Sequence, residues 1–135
     1  MEIIKEGVLI PVILIVDDDR SIRELIRDYL EDIYSNYPCR AEEATDGLEG
    51  LEKFKAIPEV VAIITDVEMP GLNGLDLTKQ LKDANPKIAV IVMSANNDFG
   101  ASALSAGADA FLEKPFSDMG ILERLLEKPL RAAVA

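Results

Sequence analysis

Short runs of aliphatic residues alternate along the chain with longer stretches whose apolar positions recur every three or four residues. Val12–Val16 is a run of the kind that a strand buried on both faces requires. Ser21 and Glu24 have capping-box spacing, which predicts a helix opening at Ser21. Ile22, Leu25, Ile26, Tyr29, Leu30 and Ile33 then give that helix one continuous apolar face. A second strand is predicted over Cys39–Ala44, after the polar turn Ser35–Pro38. Asp46 and Glu49 repeat the capping spacing ahead of a helix with Leu48, Leu51 and Phe54 on its core face. Val60–Thr65 reads as a third strand ending at Asp66, and Met69-Pro70-Gly71 as a turn. Asn73 can cap a helix carrying Leu75, Leu77 and Leu81, which Asn85-Pro86 breaks. Ile88–Met93 is the fourth strand, Ala101–Ala106 a small-residue helix stopped by Gly107, and Ala110–Glu113 the fifth strand. Ser117 is expected to begin a last helix with Ile121, Leu122, Leu125 and Leu126, ending near Pro129.

Five strand-then-helix units with short connections predict an α/β fold, a parallel sheet with helices on both faces. Residues 1–10 read as an N-terminal extension, 11–128 as one domain and 129–135 as a C-terminal tail. A length of 135 residues with 49% hydrophobic and 29% charged residues suffices for one real core. The net charge of −11 works against phosphate backbones, so no direct nucleic-acid binding is expected. The chain has no His, which excludes His-based acid–base chemistry, His-ligated zinc and a phosphohistidine donor role. Cys39 is the only cysteine, so an intrachain disulfide is impossible; it reads as a small buried hydrophobe on the second strand. The apolar stretch Val8–Val16 is far shorter than the roughly 20 residues of a membrane span, and a soluble, cytoplasmic protein is expected.

In open α/β sheets ligands bind beyond the carboxyl ends of the strands. The residues there are Asp17, Asp18 and Asp19 after the first strand, Asp66 after the third, Ser94 after the fourth, and Lys114 after the fifth. Crowded carboxylates call for a hard divalent cation, and Mg²⁺ suits oxygen ligands it can share with phosphoryl groups. A lysine and a hydroxyl opposite the metal can bind the remaining phosphoryl oxygens, and one of the aspartates can act as the nucleophile. The residues by themselves thus point to Mg²⁺-assisted phosphoryl chemistry at an aspartate.

Val-Asp-Asp-Asp at Val16–Asp19, Thr-Asp-Val-Glu-Met-Pro-Gly at Thr65–Gly71, Met-Ser-Ala at Met93–Ala95 and Phe-Leu-Glu-Lys-Pro-Phe at Phe111–Phe116 follow in this order. Together they make the chain resemble, from about Pro11 to Leu126, the receiver domain of two-component response regulators, in particular stand-alone, chemotaxis-regulator-like receivers. The resemblance implies a flavodoxin-like (βα)5 doubly wound sheet of strand order 2-1-3-4-5. It implies that Asp66 is the phosphoacceptor, that Asp17, Asp18, Asp66 and the backbone carbonyl of Glu68 hold Mg²⁺, and that Lys114 pairs with the phosphoryl group through a cis Lys114-Pro115 loop. Ser94 matches the switch hydroxyl and Phe111 the aromatic that moves with it. Asp19 reads as structural, at the start of the helix. The partners implied are a sensor histidine kinase or histidine phosphotransfer protein and a downstream effector protein, with the chain a monomer or a phosphorylation-dependent weak dimer.

Ser94 and Lys114 lie only 20 positions apart, shorter than the family pattern, and the shortening falls at Asn96–Gly100 and the start of the fourth helix. The Tyr34–Pro38 region is correspondingly long. Competing readings are a phosphate-independent pseudo-receiver, a phosphohydrolase using Glu68 as its second acid, and the receiver part of a longer regulator.

Overall fold

The computed structural model describes residues 10–36, 39–116 and 118–134. Five strands, β1 (Val12–Val16), β2 (Arg40–Ala44), β3 (Val60–Asp66), β4 (Ala89–Ser94) and β5 (Ala110–Glu113), form one sheet. All pairings are parallel and the order is β2-β1-β3-β4-β5, the doubly wound arrangement expected. The helices are α1 (Arg20–Ile33), α2 (Gly47–Ala56), α3 (Gly74–Ala84), α4 (Gly100–Ser105) and α5 (Gly120–Val134). A 3₁₀ turn, Asn97–Phe99, leads into the six-residue α4.

The period-two alternation of the strands divides the interior into two cores. Val12, Leu14 and Val16 of β1, Ile63 of β3 and Val90 and Val92 of β4 pack with Leu51, Leu77 and Leu81 of α2 and α3. Ile13, Ile15, Ile64, Ile91 and Met93 pack on the opposite side with Ile26 and Leu30 of α1 and Leu122, Leu126 and Leu130 of α5. Every side chain of β1 is fully buried, which is why that strand is an unbroken aliphatic run.

Several local expectations are corrected. Asp19, in extended conformation, is the N-cap of α1 and its Oδ1 accepts from the Ser21 amide at 2.9 Å, so Ser21 lies inside the helix. Glu24, freed from a capping box, pairs instead with Arg20 at 2.7 Å. Asp46 does cap α2 as expected, accepting from the Glu49 amide, while Glu49 Oε1 accepts from the Thr45 amide. Asn73 caps α3 through two bonds of 2.9 Å to Leu75 and Asp76.

Leu25 and Leu48, expected on core faces, are 51% and 57% exposed. The buried rows are Ile26–Leu30 on α1 and Gly47–Gly50–Leu51 on α2, and each exposed leucine sits one residue, about 100°, outside its row. Cys39 precedes β2 and is only half-buried. The last helix passes through Pro129 and continues to Val134. Leu130 explains this: it extends the Leu122–Leu126 row by one turn and is 2% exposed, a burial that offsets the hydrogen bond lost at the proline. Ser117, the expected start of this helix, lies outside the described residues, as does part of the Tyr34–Pro38 segment. No helix among the described residues is long and apolar enough to cross a membrane.

Candidate functional site

The site forms where β1, β3, β4 and β5 end on the same edge. The register pairs Val16 with Thr65, Asp66 with Met93, and Ser94 with Glu113. The next residues out, Asp17 and Lys114, therefore fall beside Asp66 and Ser94. Parallel strands emit all their carboxyl ends in one direction, so four separate sequence segments converge without any long loop.

Asp17 is completely buried and held at four points. Its amide donates to the Ala44 carbonyl at 3.1 Å. Its Oδ1 accepts from the Asp19 amide at 2.8 Å, and its Oδ2 accepts from Lys114 Nζ at 2.8 Å. Its carbonyl accepts from Arg23 Nη1 at 2.7 Å. Asp66 is 8% exposed, its Oδ1 accepting from the Val67 amide at 2.8 Å and its Oδ2 lying 3.4 Å from Lys114 Nζ. The Asp66 carbonyl accepts from Thr65 Oγ1 at 2.9 Å. Asp18, by contrast, is exposed.

Burial is the largest influence on Asp66 and raises its carboxyl above the ordinary range. The neighbouring Asp17 carboxylate adds to the effect, while Lys114 and the Val67 amide oppose it. For Lys114 burial acts to lower the ammonium, but its hydrogen bond and attraction to Asp17, with the attraction of Asp66, outweigh that and hold it above its ordinary value. The lone ammonium is thereby kept charged between two carboxylates.

Ligand oxygens of Asp17, Asp18 and Asp66 lie within 4.8 Å of one another. An all-oxygen set of three carboxylates, balanced by one ammonium, fits a hard divalent cation such as Mg²⁺. Glu68, the residue whose carbonyl was expected to join this set, stands two positions beyond Asp66 with its side chain exposed. Ser94 is 1% exposed and its Oγ accepts from the Asn96 amide at 3.0 Å, while its carbonyl accepts from the Lys114 amide at 2.9 Å. The Lys114-Pro115 bond is cis. Phe111 is half-buried on β5 and packs against the core on the α4 side.

Asp17, Asp18, Asp66, Glu68, Ser94 and Lys114 are thus at the strand-end rim, whereas Phe111 lies further back on β5, opposite Val92. The sequence reading did not single out Arg23 and Glu43. Arg23 Nε donates to Glu43 Oε1 at 3.1 Å, and Arg27 Nη1 donates to Glu43 Oε2 at 2.8 Å. Lys53 Nζ donates to the Glu43 carbonyl. The available signal was a pair of carboxylates, Glu42 and Glu43, on a strand between Ala41 and Ala44.

The chain belongs to the response regulator receiver domain family, whose profile matches residues 13–126. It is 37% identical over 115 residues to the response regulator MprA of Mycobacterium ulcerans, an alignment covering 84% of this chain and 47% of that protein. The chain spans about half the length of the curated relatives it matches. Among solved structures it resembles a response regulator receiver protein from Pseudomonas putida, with 27% identity, a TM-score of 0.77, and coverage of 89% and 98% of the two chains. It also resembles the chemotaxis protein CheY4 of Vibrio cholerae, with 26% identity, a TM-score of 0.74, and coverage of 87% and 97%.

Proposed function

We propose that this chain is a phosphoacceptor. Asp66 takes a phosphoryl group from the phosphohistidine of a sensor histidine kinase or histidine phosphotransfer protein, and the modified form acts on a downstream effector protein. The observation that carries this reading is the Asp66 carboxylate, almost buried, with Lys114 Nζ 3.4 Å from its Oδ2 and the Asp17 and Asp18 carboxylates beside it.

The Val67 amide fixes one oxygen of Asp66 and leaves Oδ2, beside Lys114, as the oxygen to attack phosphorus. The P–N bond of the donor breaks as the O–P bond to Asp66 forms, and the electron pair leaves with the imidazole. Lys114 shifts its charge from Asp17 and Asp66 to the incoming phosphoryl oxygens. Ser94 accepts from the Asn96 amide and keeps its hydroxyl proton to donate to a phosphoryl oxygen. Asp17, Asp18, Asp66 and the Glu68 carbonyl would hold Mg²⁺, which when bound would supply charge neutralisation for the same oxygens. Ser94 and Lys114 bonded to the new group then favour another arrangement of the loop after β4 and of Phe111, a population shift that an effector reads.

In this reading the chain catalyses only its own phosphorylation and dephosphorylation, works in the cytoplasm, and is monomeric or weakly dimeric when phosphorylated. Residues 11–128 form the receiver unit. The test is incubation with acetyl phosphate and Mg²⁺, followed by intact-mass spectrometry. One phosphoryl group, base-labile and lost in Asp66→Asn, is expected. An adduct that persists in Asp66→Asn places the chemistry on another residue and overturns the assignment.

A further inference from the structure

We propose that Arg23 is a positioning residue for the divalent-cation site, aiming Asp18 through the peptide bond that joins it to Asp17. The inference rests on reading Asp17, Asp18 and Asp66 as that site. Asp17 needs no help from Arg23 to place its own carboxylate, because both oxygens are already bonded, to the Asp19 amide and to Lys114. Asp18 differs. Its side chain is exposed and forms no hydrogen bond with a described residue, yet its carboxylate stays within 4.8 Å of those of Asp17 and Asp66. Something in the backbone must aim it.

The Asp17 carbonyl belongs to the planar unit that ends at the Asp18 Cα. With Asp17 anchored on its amide side by Ala44 and on its side chain by Lys114 and the Asp19 amide, the remaining freedom is a limited rotation of this peptide plane. Arg23 Nη1 removes it, at 2.7 Å from the carbonyl oxygen. The guanidinium is itself immobilised: its side chain is 11% exposed, and its Nε is bonded to Glu43 at 3.1 Å. Glu43 is in turn held by Arg27 at 2.8 Å and by β2. The fork of an arginine can engage a carbonyl and a carboxylate at once, which an ammonium on a flexible stem cannot do in the same geometry.

Two roles for Arg23 predict opposite signs. As a nearby positive charge alone, Arg23 would weaken cation binding, and removing it would tighten the site. As a positioning group, its removal leaves the carbonyl of a fully buried residue unpaired, frees the peptide plane, and weakens the site.

The experiment measures Mg²⁺ affinity of the chelator-treated full chain by calorimetric titration, for wild type, Arg23→Met, Arg23→Lys and Arg27→Met. Amide NMR shifts of Asp17–Asp19 in the metal-free proteins provide a second readout. Arg27→Met is the control, since Arg27 shares Glu43 but does not touch Asp17. Loss of about 10-fold or more in affinity is expected for both Arg23 variants, with displaced Asp18 shifts, while Arg27→Met, which loosens Glu43 but leaves Arg23 on the Asp17 carbonyl, loses less than either. Where Arg23→Met does not fold by circular dichroism, Arg23→Lys, which keeps charge and stem, carries the same expectation. Unchanged or tighter binding in the folded Arg23 variants overturns the proposal and leaves the metal site standing. Equal weakening in Arg27→Met overturns it too, by making the effect one of general packing. Absence of Mg²⁺ binding in wild type removes the site itself, and the role of Arg23 with it.

Discussion

The Cα of Gly74, first residue of α3, backs directly onto the carbonyl of Asp66. A Cβ there would stand 1.9 Å from the carbonyl oxygen and 2.8 Å from its carbon. The Gly74 amide also donates to the Val67 carbonyl at 2.9 Å, so α3 is seated against the backbone at the end of β3. The main chain of Asp66 is thus located by a missing side chain as well as by hydrogen bonds.

Gly74→Ala is expected to destabilise the fold by about 1–3 kcal/mol, because the obstructing atoms are backbone and cannot rotate away. The gain in helix propensity from alanine, about 1 kcal/mol in a helix interior, counts for less at a first helical position. Urea unfolding followed by circular dichroism measures the difference. A midpoint equal to wild type would show that the strand end yields easily.

Asp66→Asn is expected to stabilise the metal-free protein at neutral pH. The Asp66 carboxyl is raised in the folded state, chiefly by burial and then by Asp17. The unfolded chain therefore releases this proton more readily. The stability associated with Asp66 is full below its unfolded value, 3.8, and is lost as pH rises through the higher folded value. Thermal melts with chelator at pH 7 and at pH 4 test this. The advantage of Asp66→Asn should be larger at pH 7, and an advantage that grew on acidification would reverse the assigned sign.

Mg²⁺ should raise the melting temperature of wild type and have little effect on Asp18→Asn. Asp18 is the informative position because it is exposed, whereas Asp17 is fully buried and bonded at four points, so its loss would damage the fold as well as the site. Removing one of the like charges should also raise the melting temperature with chelator present, making the two effects non-additive. Four melts suffice, and equal Mg²⁺ shifts in both proteins would refute the acidic pocket.

Cys39 should be a slow thiol. Burial pushes it from 9.0 up to about 11. At pH 8 the native protein then holds roughly 100-fold fewer thiolates than the unfolded chain, and alkylation should be slower to match. Because the folded value is the higher one, this group's stabilising contribution is full below pH 9 and is lost as pH climbs toward 11. A native reaction rate that levels off near pH 9, instead of still rising about tenfold per pH unit, would contradict the assignment.

The placement of Asp17, Asp66, Ser94 and Lys114 was legible in the sequence because each stands at the end of a strand-like run, and parallel topology leaves one edge for it to reach. Boundaries were less legible where two signals competed. Asp19 and Ser21 both make acceptable caps, and only the extended backbone at Asp19 decides between them. Pro129 looks like a stop until Leu130 is seen to have a buried place to fill. Arg23 was invisible for another reason: it lies beside the apolar stripe of α1 like any solvated arginine, and Glu43 is 20 residues away. Their meeting exists only once β2 lies beside β1.

The strand β1, buried to zero exposure on both faces, is a partition wall. Val12, Leu14 and Val16 touch one core and Ile13 and Ile15 the other, so repacking beneath α2 and α3 is shielded from the packing of α1 and α5. Substitutions on opposite sides should combine nearly independently. One flank can thus be repacked while the other keeps its packing, and the carboxylates at the seam stay where β1 and β3 hold them.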